Sequence, residues 1–452
     1  MLKKILTIRL PLWFVFLVLI LTTTASVFVQ LIYFKRVADY KIVLSGKNGD
    51  FIPFEYGARP AMENINFFNA TKNKLIADKI NFIEADLSEM KLKIYKDGSA
   101  IKEVAILAKG KEGSWWETPA GFYKIENKEK NHFSSFGRVY QPWSLAFQGN
   151  FFIHGWPYYP DGTPVASGYS GGCIRLSSED AEEIFNLAEK GMPVLVFDKK
   201  FESDDFNHQR KTLNLAANNY LAADIKNNFV FLEKSSDNPA PVASITKLIT
   251  ALVASEYINL EKNIVIEKKM IVKTSLPRLK PGQKISVFNL LYPLLLESSN
   301  EAAQALADSM GRNYFVGLMN NKAKSLGMKS AKFVDPAGSE SENISTAKDL
   351  FNLSKYIYNN RLFIFKITGG NLNNTAYGKP SFADLKNFNV FGDDPSFIGG
   401  KIGKTEAAGE TMLAVFELEF NGAKRPVAII VLGSLEVEKD VLRILNYLKN
   451  NY

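Results

Sequence analysis

The chain has 452 residues, 46% hydrophobic and 23% charged, a balance of globular rather than disordered protein and a length beyond one ordinary domain. A formal charge of +8 suits an anionic setting such as a cell-wall polymer or a lipid surface, or simply a basic face, and without an arginine-rich run nucleic acid is not indicated. A single cysteine excludes a disulfide framework and thiol–zinc clusters, three histidines (His132, His154, His208) in no HExxH or HxxH spacing argue against a metal, and no motif asks for a cofactor.

From Leu10 to Phe34 there are 25 residues without a charge, "LPLWFVFLVLILTTTASVFVQLIYF". At about 1.5 Å per residue this exceeds a hydrocarbon core of about 30 Å, so residues 1–40 read as a cytoplasmic N-terminus and a tilted transmembrane helix. Lys3, Lys4 and Arg9 before it, against Lys35 and Arg36 after it, orient the rest of the chain outside the cytoplasm. A cleaved signal peptide ending near "TTTAS" is the alternative; the apolar run that continues past it favours an uncleaved anchor.

Residues 41–78 read as a polar, irregular connector ("NGDFIPFEYGARP", "ENINFFNATKN"). From 79 to 198 the pattern is β-rich. "FIEADLSEMKLKIYKDGSAIKEVAILAKG" alternates apolar and polar around a turn at Asp97-Gly98, and "WWETPAGFYKIENK", "WSLAFQGNFFIHG" and "GMPVLVFDK" continue in that style. One helix is expected at "SEDAEEIFNLAEKG", capped by Ser178 and stopped by Gly191. Residues 199–214, within and just past the charged "DKKFESDDFNHQRK", form a linker. Residues 215–452 show strands at "YLAADIKNNFVFLE", several amphipathic helices, strands again at "GETMLAVFELEF" and "RPVAIIVLGSLE", and a closing helix. The fold class is multidomain: a membrane helix, a β-rich domain and an α/β sandwich.

Cys173 stands in "GYSGGCIRL", nineteen residues after the His154 of "FFIHGWPYY". A lone cysteine is most often a small buried hydrophobe, but an imidazole on a neighbouring strand can make it a nucleophile. Backbone N–H groups of Gly171, Gly172 and Cys173 can converge on one point as an oxyanion hole, and Arg175 can hold a carboxylate or brace the loop. "IHG", a spacer, "YSGGCIRL" and the upstream "TPAGFY" together resemble the bacterial L,D-transpeptidase catalytic domain over about 79–198. The resemblance implies that Cys173 attacks the carbonyl of the third residue of a peptidoglycan stem peptide, expelling the terminal D-Ala. The thioester then passes to an amine of a second stem. His154 would be base and acid, with Ser170 and Arg175 positioning the loop. Many members carry a second histidine two positions before the cysteine; here it is Gly171.

In "PVASITKLITALVASEYI", Ser244 and Lys247 are three apart, on one face of a helix, so the amine can take the hydroxyl proton. "LLYPLLLESSNEAAQALA" puts Ser298 and Asn300 at a helix–loop–helix corner, and "FIGGKIGKTEAAGETMLAVF" puts Lys401 at the start of a strand. The set resembles the low-molecular-weight penicillin-binding proteins, D-alanyl-D-alanine carboxypeptidases and endopeptidases, over about 215–452. That implies a serine β-lactamase/penicillin-binding fold, an antiparallel sheet flanked by helices. It also implies Ser244 as nucleophile, Lys247 as base, Ser298 as proton relay and Asn300 on the substrate amide. Lys401 would attract the terminal carboxylate, and backbone N–H groups of Ser244 and Lys404 would form the oxyanion hole. Where the family has Lys-Thr-Gly this chain has Lys401-Ile402-Gly403, which removes a hydroxyl from the carboxylate site. The expectation is a membrane-anchored, bifunctional peptidoglycan enzyme without metal or cofactor. Its expected partners are stem peptides and the membrane, with room for other cell-wall synthesis proteins. The alternative keeps the cysteine domain as the enzyme and makes the serine domain a wall-binding module or an endopeptidase.

Overall fold

The computed structural model describes residues 65–199 and 211–452, short stretches within loops aside, and three short strands between 42 and 58. The expected anchor at 10–34 and most of the linker lie outside the described residues. Among the described residues no helix is long and apolar enough to cross a membrane.

Strands β1 (Ile42–Ser45) and β2 (Phe51–Phe54) pair as a hairpin, and β3 (Gly57–Ala58) is followed by helix α1 (Ile65–Ala77). The first domain continues with β4 (Phe82–Asp86), β5 (Lys91–Lys96), β6 (Ser99–Ala105), β7 (Gly121–Lys124), β8 (Asn127–Ser134), β9 (Val139–Gln148), β10 (Phe151–His154), β11 (Ile174–Arg175), α2 (Ser178–Leu187) and β12 (Pro193–Phe197). Six strands form one sheet in the order β3-β7-β12-β4-β5-β6, and four form a second, β11-β10-β9-β8. Ile83, Leu92, Phe147, Ile153 and Val194 belong to the core between them. The β5–β6 turn has positive φ at both Asp97 (50°) and Gly98 (84°), the backbone a two-residue hairpin needs.

Two expectations need correction. The segment expected as an irregular connector contains α1, whose Phe68 and Leu75 pack against Phe82, Phe122 and Phe197; the Phe68 and Phe197 rings stack at 4.3 Å. From Phe68 onward its buried positions are Phe68, Thr71 and Leu75, one per turn, and the surrounding asparagines and lysines masked them. Helix α2 is capped by Ser177 rather than Ser178, with Ser177 Oγ accepting from the Asp180 N–H at 3.0 Å, and it ends at Leu187, before Gly191.

The second domain holds β13 (Asn219–Asp224), β14 (Val230–Lys234), β15 (Ala240–Pro241), α3 (Thr246–Tyr257), β16 (Asn263–Val265), β17 (Lys284–Ser286), α4 (Val287–Leu296), α5 (Asn300–Asp308), α6 (Arg312–Ser325), β18 (Ile344–Ser345), α7 (Ala347–Asn360), α8 (Leu362–Thr368), β19 (Phe397–Thr405), β20 (Gly409–Phe420), β21 (Ala423–Ser434) and α9 (Val437–Asn451). Its antiparallel sheet runs β14-β13-β21-β20-β19. Along β13, Tyr220 and Ala222 face the core that α9 fills with Val441, Ile444 and Leu448, while Leu221 and Ala223 face the core of α3 to α8. With both faces covered the whole strand is buried, so it reads as an unbroken apolar run. The same cover explains a departure in α3. Expected to be amphipathic, it is buried at every position from Thr246 to Ala254, because α4, α5, α6 and α8 enclose it.

The two domains are packed together. One cluster of buried side chains runs from Ile83 and Val194 through Phe151 to Leu248 and Leu290. Asn150 Nδ2 donates to the Glu256 carbonyl at 2.6 Å, and Trp116 meets Tyr377 edge to face at 6.0 Å.

Candidate active sites

Parallel pairing of β10 with β11, Ile153 opposite Ile174 and His154 opposite Arg175, brings His154 beside the end of the Cys173 loop. That loop closes on itself. Ser170 Oγ donates to the Cys173 carbonyl and accepts from the Gly172 N–H at 3.1 Å. Gly172 has φ +99°, and a Cβ there would stand 2.2 Å from the Phe151 ring, so no other residue fits. Thr118 Oγ1 accepts from the Gly110 N–H at 2.8 Å and donates to the Gly172 carbonyl at 2.9 Å, which makes the "TP" segment a brace for the loop. One expectation is overturned here: the Gly172 N–H is taken by Ser170, leaving those of Gly171 and Cys173 for an oxyanion.

The Cys173 thiol donates toward the Asn150 carbonyl at 3.8 Å and receives Gln141 Nε2 at 3.9 Å. Burial pushes its pKa up to about 11. His154 is wholly buried, and its Nδ1 lies 2.6 Å from the Gly155 carbonyl. A carbonyl can only accept, so Nδ1 carries the proton and Nε2 is the free base. Nε2 has no hydrogen-bond partner among the described residues, and burial drives the imidazole down to about 3. At neutral pH the pair is therefore a neutral thiol and a neutral imidazole, and the proton must move as the sulfur attacks. Arg175 lies over the Trp156 ring at 5.6 Å, its backbone N–H donating to the Ala108 carbonyl. His132 stacks on Phe152 at 4.5 Å and pairs with Glu129 at 2.9 Å. Cys173, His154 and Gln141 open onto a cavity of about 330 Å³ whose far wall, Glu256, Asn259 and Glu261, belongs to the second domain.

At the second site Ser244 sits on a 3₁₀ turn, Ala243–Ile245, that leads into α3. Lys247 Nζ lies 2.9 Å from Ser244 Oγ and donates to the Ala337 carbonyl at 2.6 Å. Burial first, and then the charge of Lys401, hold the Lys247 ammonium well below its ordinary pKa, so the amine is free to act as a base. Burial brings Lys401 down to about 7; it donates to the Ile402 carbonyl at 2.9 Å and stands in the middle of β19, not at its start. A Cβ on Gly403 would lie 2.7 Å from the Ser244 nitrogen, so β19 passes directly beside the nucleophile. Lys404 follows on that strand with its side chain paired to Glu410 at 2.9 Å. Ser298, with φ +58°, occupies the corner between α4 and α5, and Asn300 Nδ2 donates to the Lys273 carbonyl at 2.9 Å. Ile402 pairs with Met412 and packs partly on its cluster with Phe391 and Phe397, the opposite face from Lys401, which pairs with Leu413.

Sequence reading missed Gln141, Asn150, Glu256 and Arg361. Thr118 lay inside a quoted motif; the others carry no local signal, and two of them reach this site from the other domain. Among the described residues no group of three His, Cys, Asp or Glu is placed to hold a metal ion.

Comparison with known proteins bears on both halves. A family model described as D-alanyl-D-alanine carboxypeptidase matches residues 206–434, and one described as L,D-transpeptidase catalytic domain matches residues 80–196. A D-alanyl-D-alanine endopeptidase of Escherichia coli K12 is 31% identical over 236 residues, 49% of this chain and 72% of its own length. Endopeptidases of Pseudomonas aeruginosa and Haemophilus influenzae are 37% and 40% identical over 31% and 32% of this chain. The chain spans about half the length of these two, 46% and 51%.

Proposed function

The chain belongs to the D-alanyl-D-alanine carboxypeptidase family and carries an L,D-transpeptidase catalytic domain ahead of that part; from this premise we propose a peptidoglycan-remodelling enzyme, anchored in the membrane by residues 10–34 and acting outside the cytoplasm. In the cysteine domain, His154 Nε2 takes the thiol proton while Cys173 Sγ adds to the carbonyl carbon of the third stem residue. The N–H groups of Gly171 and Cys173 stabilise the oxyanion. The bond to the terminal D-Ala nitrogen breaks, His154 returns the proton to that amine, and a thioester remains. An amine of a second stem attacks it, forming the cross-link and restoring the thiol. In the serine domain, Lys247 takes the Ser244 proton, Ser298 relays it to the leaving D-Ala, and water releases the acyl group. Trimming a pentapeptide to a tetrapeptide makes the donor that the cysteine domain uses.

The observation that carries this reading is the contact of Lys247 Nζ with Ser244 Oγ at 2.9 Å, in a chain whose other site sets Cys173 and the unpartnered His154 Nε2 on the lining of one cavity. Its test is mass analysis of muropeptides after incubation with the full-length protein. Free D-Ala and links between third residues are expected; if neither forms, the reading fails.

A second reading makes the serine domain an endopeptidase. Ile402 supports it, because an apolar side chain offers nothing to a free C-terminal carboxylate, and the endopeptidase likenesses agree with it.

A further inference from the structure

We propose that Arg361, a residue of the serine domain, positions the thiol loop of the cysteine domain, so that the cysteine site is complete only with both domains in place; this rests on Cys173 being the nucleophile of the first site. Arg361 follows the last turn of α7 and is 1% exposed. Its Nε pairs with Glu256 at 3.0 Å, a carboxylate already faced by Lys322 and the Tyr356 hydroxyl. Neutralising Glu256 does not account for the rest of the guanidinium, whose Nη1 donates to the neighbouring Asn360 carbonyl and also reaches out of its own domain. Nη1 donates to the Glu117 carbonyl at 2.9 Å, and the guanidinium carbon lies 4.7 Å from the centre of the Phe151 ring.

Each of those contacts reaches Gly172, the residue before the nucleophile, only at one remove, through Thr118 in one case and the Phe151 ring in the other. Glu117 precedes Thr118, whose hydroxyl donates to the Gly172 carbonyl at 2.9 Å. Phe151 is the ring against which Gly172 packs so closely that a Cβ would stand 2.2 Å from it. One planar side chain thus fixes the hydrogen-bonded support and the steric support of the same peptide unit. A planar fork can do this where a point charge cannot. Arg361 touches none of the reacting atoms and acts through Thr118 and Phe151.

The test uses the full chain and two variants. Arg361→Lys keeps a cation for Glu256 and loses the second arm; Thr118→Val keeps the shape and loses the hydroxyl. The readouts are kcat and KM for thioester formation from a tetrapeptide donor, the pH profile of Cys173 alkylation by iodoacetamide, and acylation of Ser244 by labelled penicillin. Each single variant is expected to lower kcat about 10-fold through a misplaced nucleophile, with KM moving less than about 3-fold. The double variant should be no slower than the slower single, because both act through Gly172. Ser244 acylation should stay at the wild-type rate, and the midpoint of the alkylation profile should move in both variants. An unchanged cysteine rate, a double variant equal to the product of the singles, or a parallel loss of Ser244 acylation would each overturn the proposal. If the wild-type chain transfers no stem peptide but the alkylation profile still moves in both variants, the positioning stands and the proposed reaction falls.

Discussion

Gly403→Ala offers the sharpest test of how the serine site is built. The added Cβ would lie 2.7 Å from the Ser244 nitrogen, 2.8 Å from Thr411 Oγ1 and 2.9 Å from Ala243 Cβ. An ordinary contact needs about 3.5 Å, so strand and nucleophile must separate by roughly 0.7 Å or more. The nucleophile cannot yield on its other side, where a Cβ on Gly338 would stand 1.9 Å from the Ala243 carbonyl oxygen. The strain falls on β19, the edge strand, and overpacking of this kind costs about 1–3 kcal/mol. For a domain of this size that is a fall in Tm of roughly 3–10 °C. The catalytic cost is larger, because the displaced strand carries the Lys404 N–H away from the Ser244 N–H, and a misplacement near 1 Å costs on the order of 100-fold. Stopped-flow acylation by labelled penicillin should therefore slow about 100-fold, while thioester formation at Cys173 keeps its rate. Wild-type acylation by Gly403→Ala would refute the claim that β19 sets the oxyanion geometry, and equal losses at both sites would refute the claim that the strain stays on β19.

Cys173→Ala should abolish links between third stem residues and leave penicillin acylation intact, and His154→Ala should cost nearly as much, since a nucleophile and its base act as a unit; near wild-type cross-linking by His154→Ala would point to His132. The acid limb of stability should follow His154. Its pKa falls from 6.5 to about 3 on folding, so between those values the unfolded chain binds a proton that the folded one does not. Stability then falls by up to about 1.4 kcal/mol per unit as pH drops through that window. Cys173, raised from 9.0 to about 11, acts at the other end, where stability falls as pH rises between those values. Urea titrations of His154→Gln should show a shallower acid limb, and an unchanged slope would count against the buried neutral imidazole. Ile402→Thr tests whether position 402, on the face of β19 opposite Lys401, reaches the substrate: D-Ala release from a pentapeptide should rise about 10-fold if the new hydroxyl meets the carboxylate, at a cost of roughly 1 kcal/mol in lost apolar contact. Flat release with intact acylation would favour the endopeptidase reading.

What the sequence disclosed and what it hid follow from range. Strands β5 and β6 alternate because mainly one face of each is covered, whereas β4 is buried on both, and Asp97-Gly98 marks the β5–β6 turn by its need for positive φ. The Ser244–Lys247 contact was legible because three residues on a helix fix the distance between two side chains. The Ser177 cap was missed by one residue because two serines adjoin, and either could have supplied the oxygen. Helix α1 was missed because burying one side chain per turn leaves the composition polar. Arg361 lies 244 residues from the carbonyl it holds, and no local pattern encodes such a contact. The assembled cysteine site is tertiary information even where its nucleophile is a sequence motif.

Helix α3 also separates the two reactions. Ser244 precedes its first residue, while Glu256, near its last, lines the cavity before Cys173, so the helix alone spans about 15 Å between them. Along an extended stem peptide, the bond trimmed by a carboxypeptidase and the bond broken in acyl transfer are neighbours, about 3.5 Å apart. One stem cannot present both bonds to both nucleophiles at once; a trimmed stem must leave the serine site before it reaches the cysteine site. The two activities then couple only through the supply of tetrapeptide. Ser244→Ala should accordingly abolish cross-linking from a pentapeptide donor and leave cross-linking from a tetrapeptide donor at the wild-type rate. Mixing Ser244→Ala with Cys173→Ala should restore pentapeptide use, because each variant retains one intact site and the product passes through solution. Mass analysis of the products measures both outcomes. Loss of tetrapeptide cross-linking in Ser244→Ala, or failure of the mixture, would mean that the stem is handed over within one molecule, and the separation by α3 would have to be bridged by a movement of the domains.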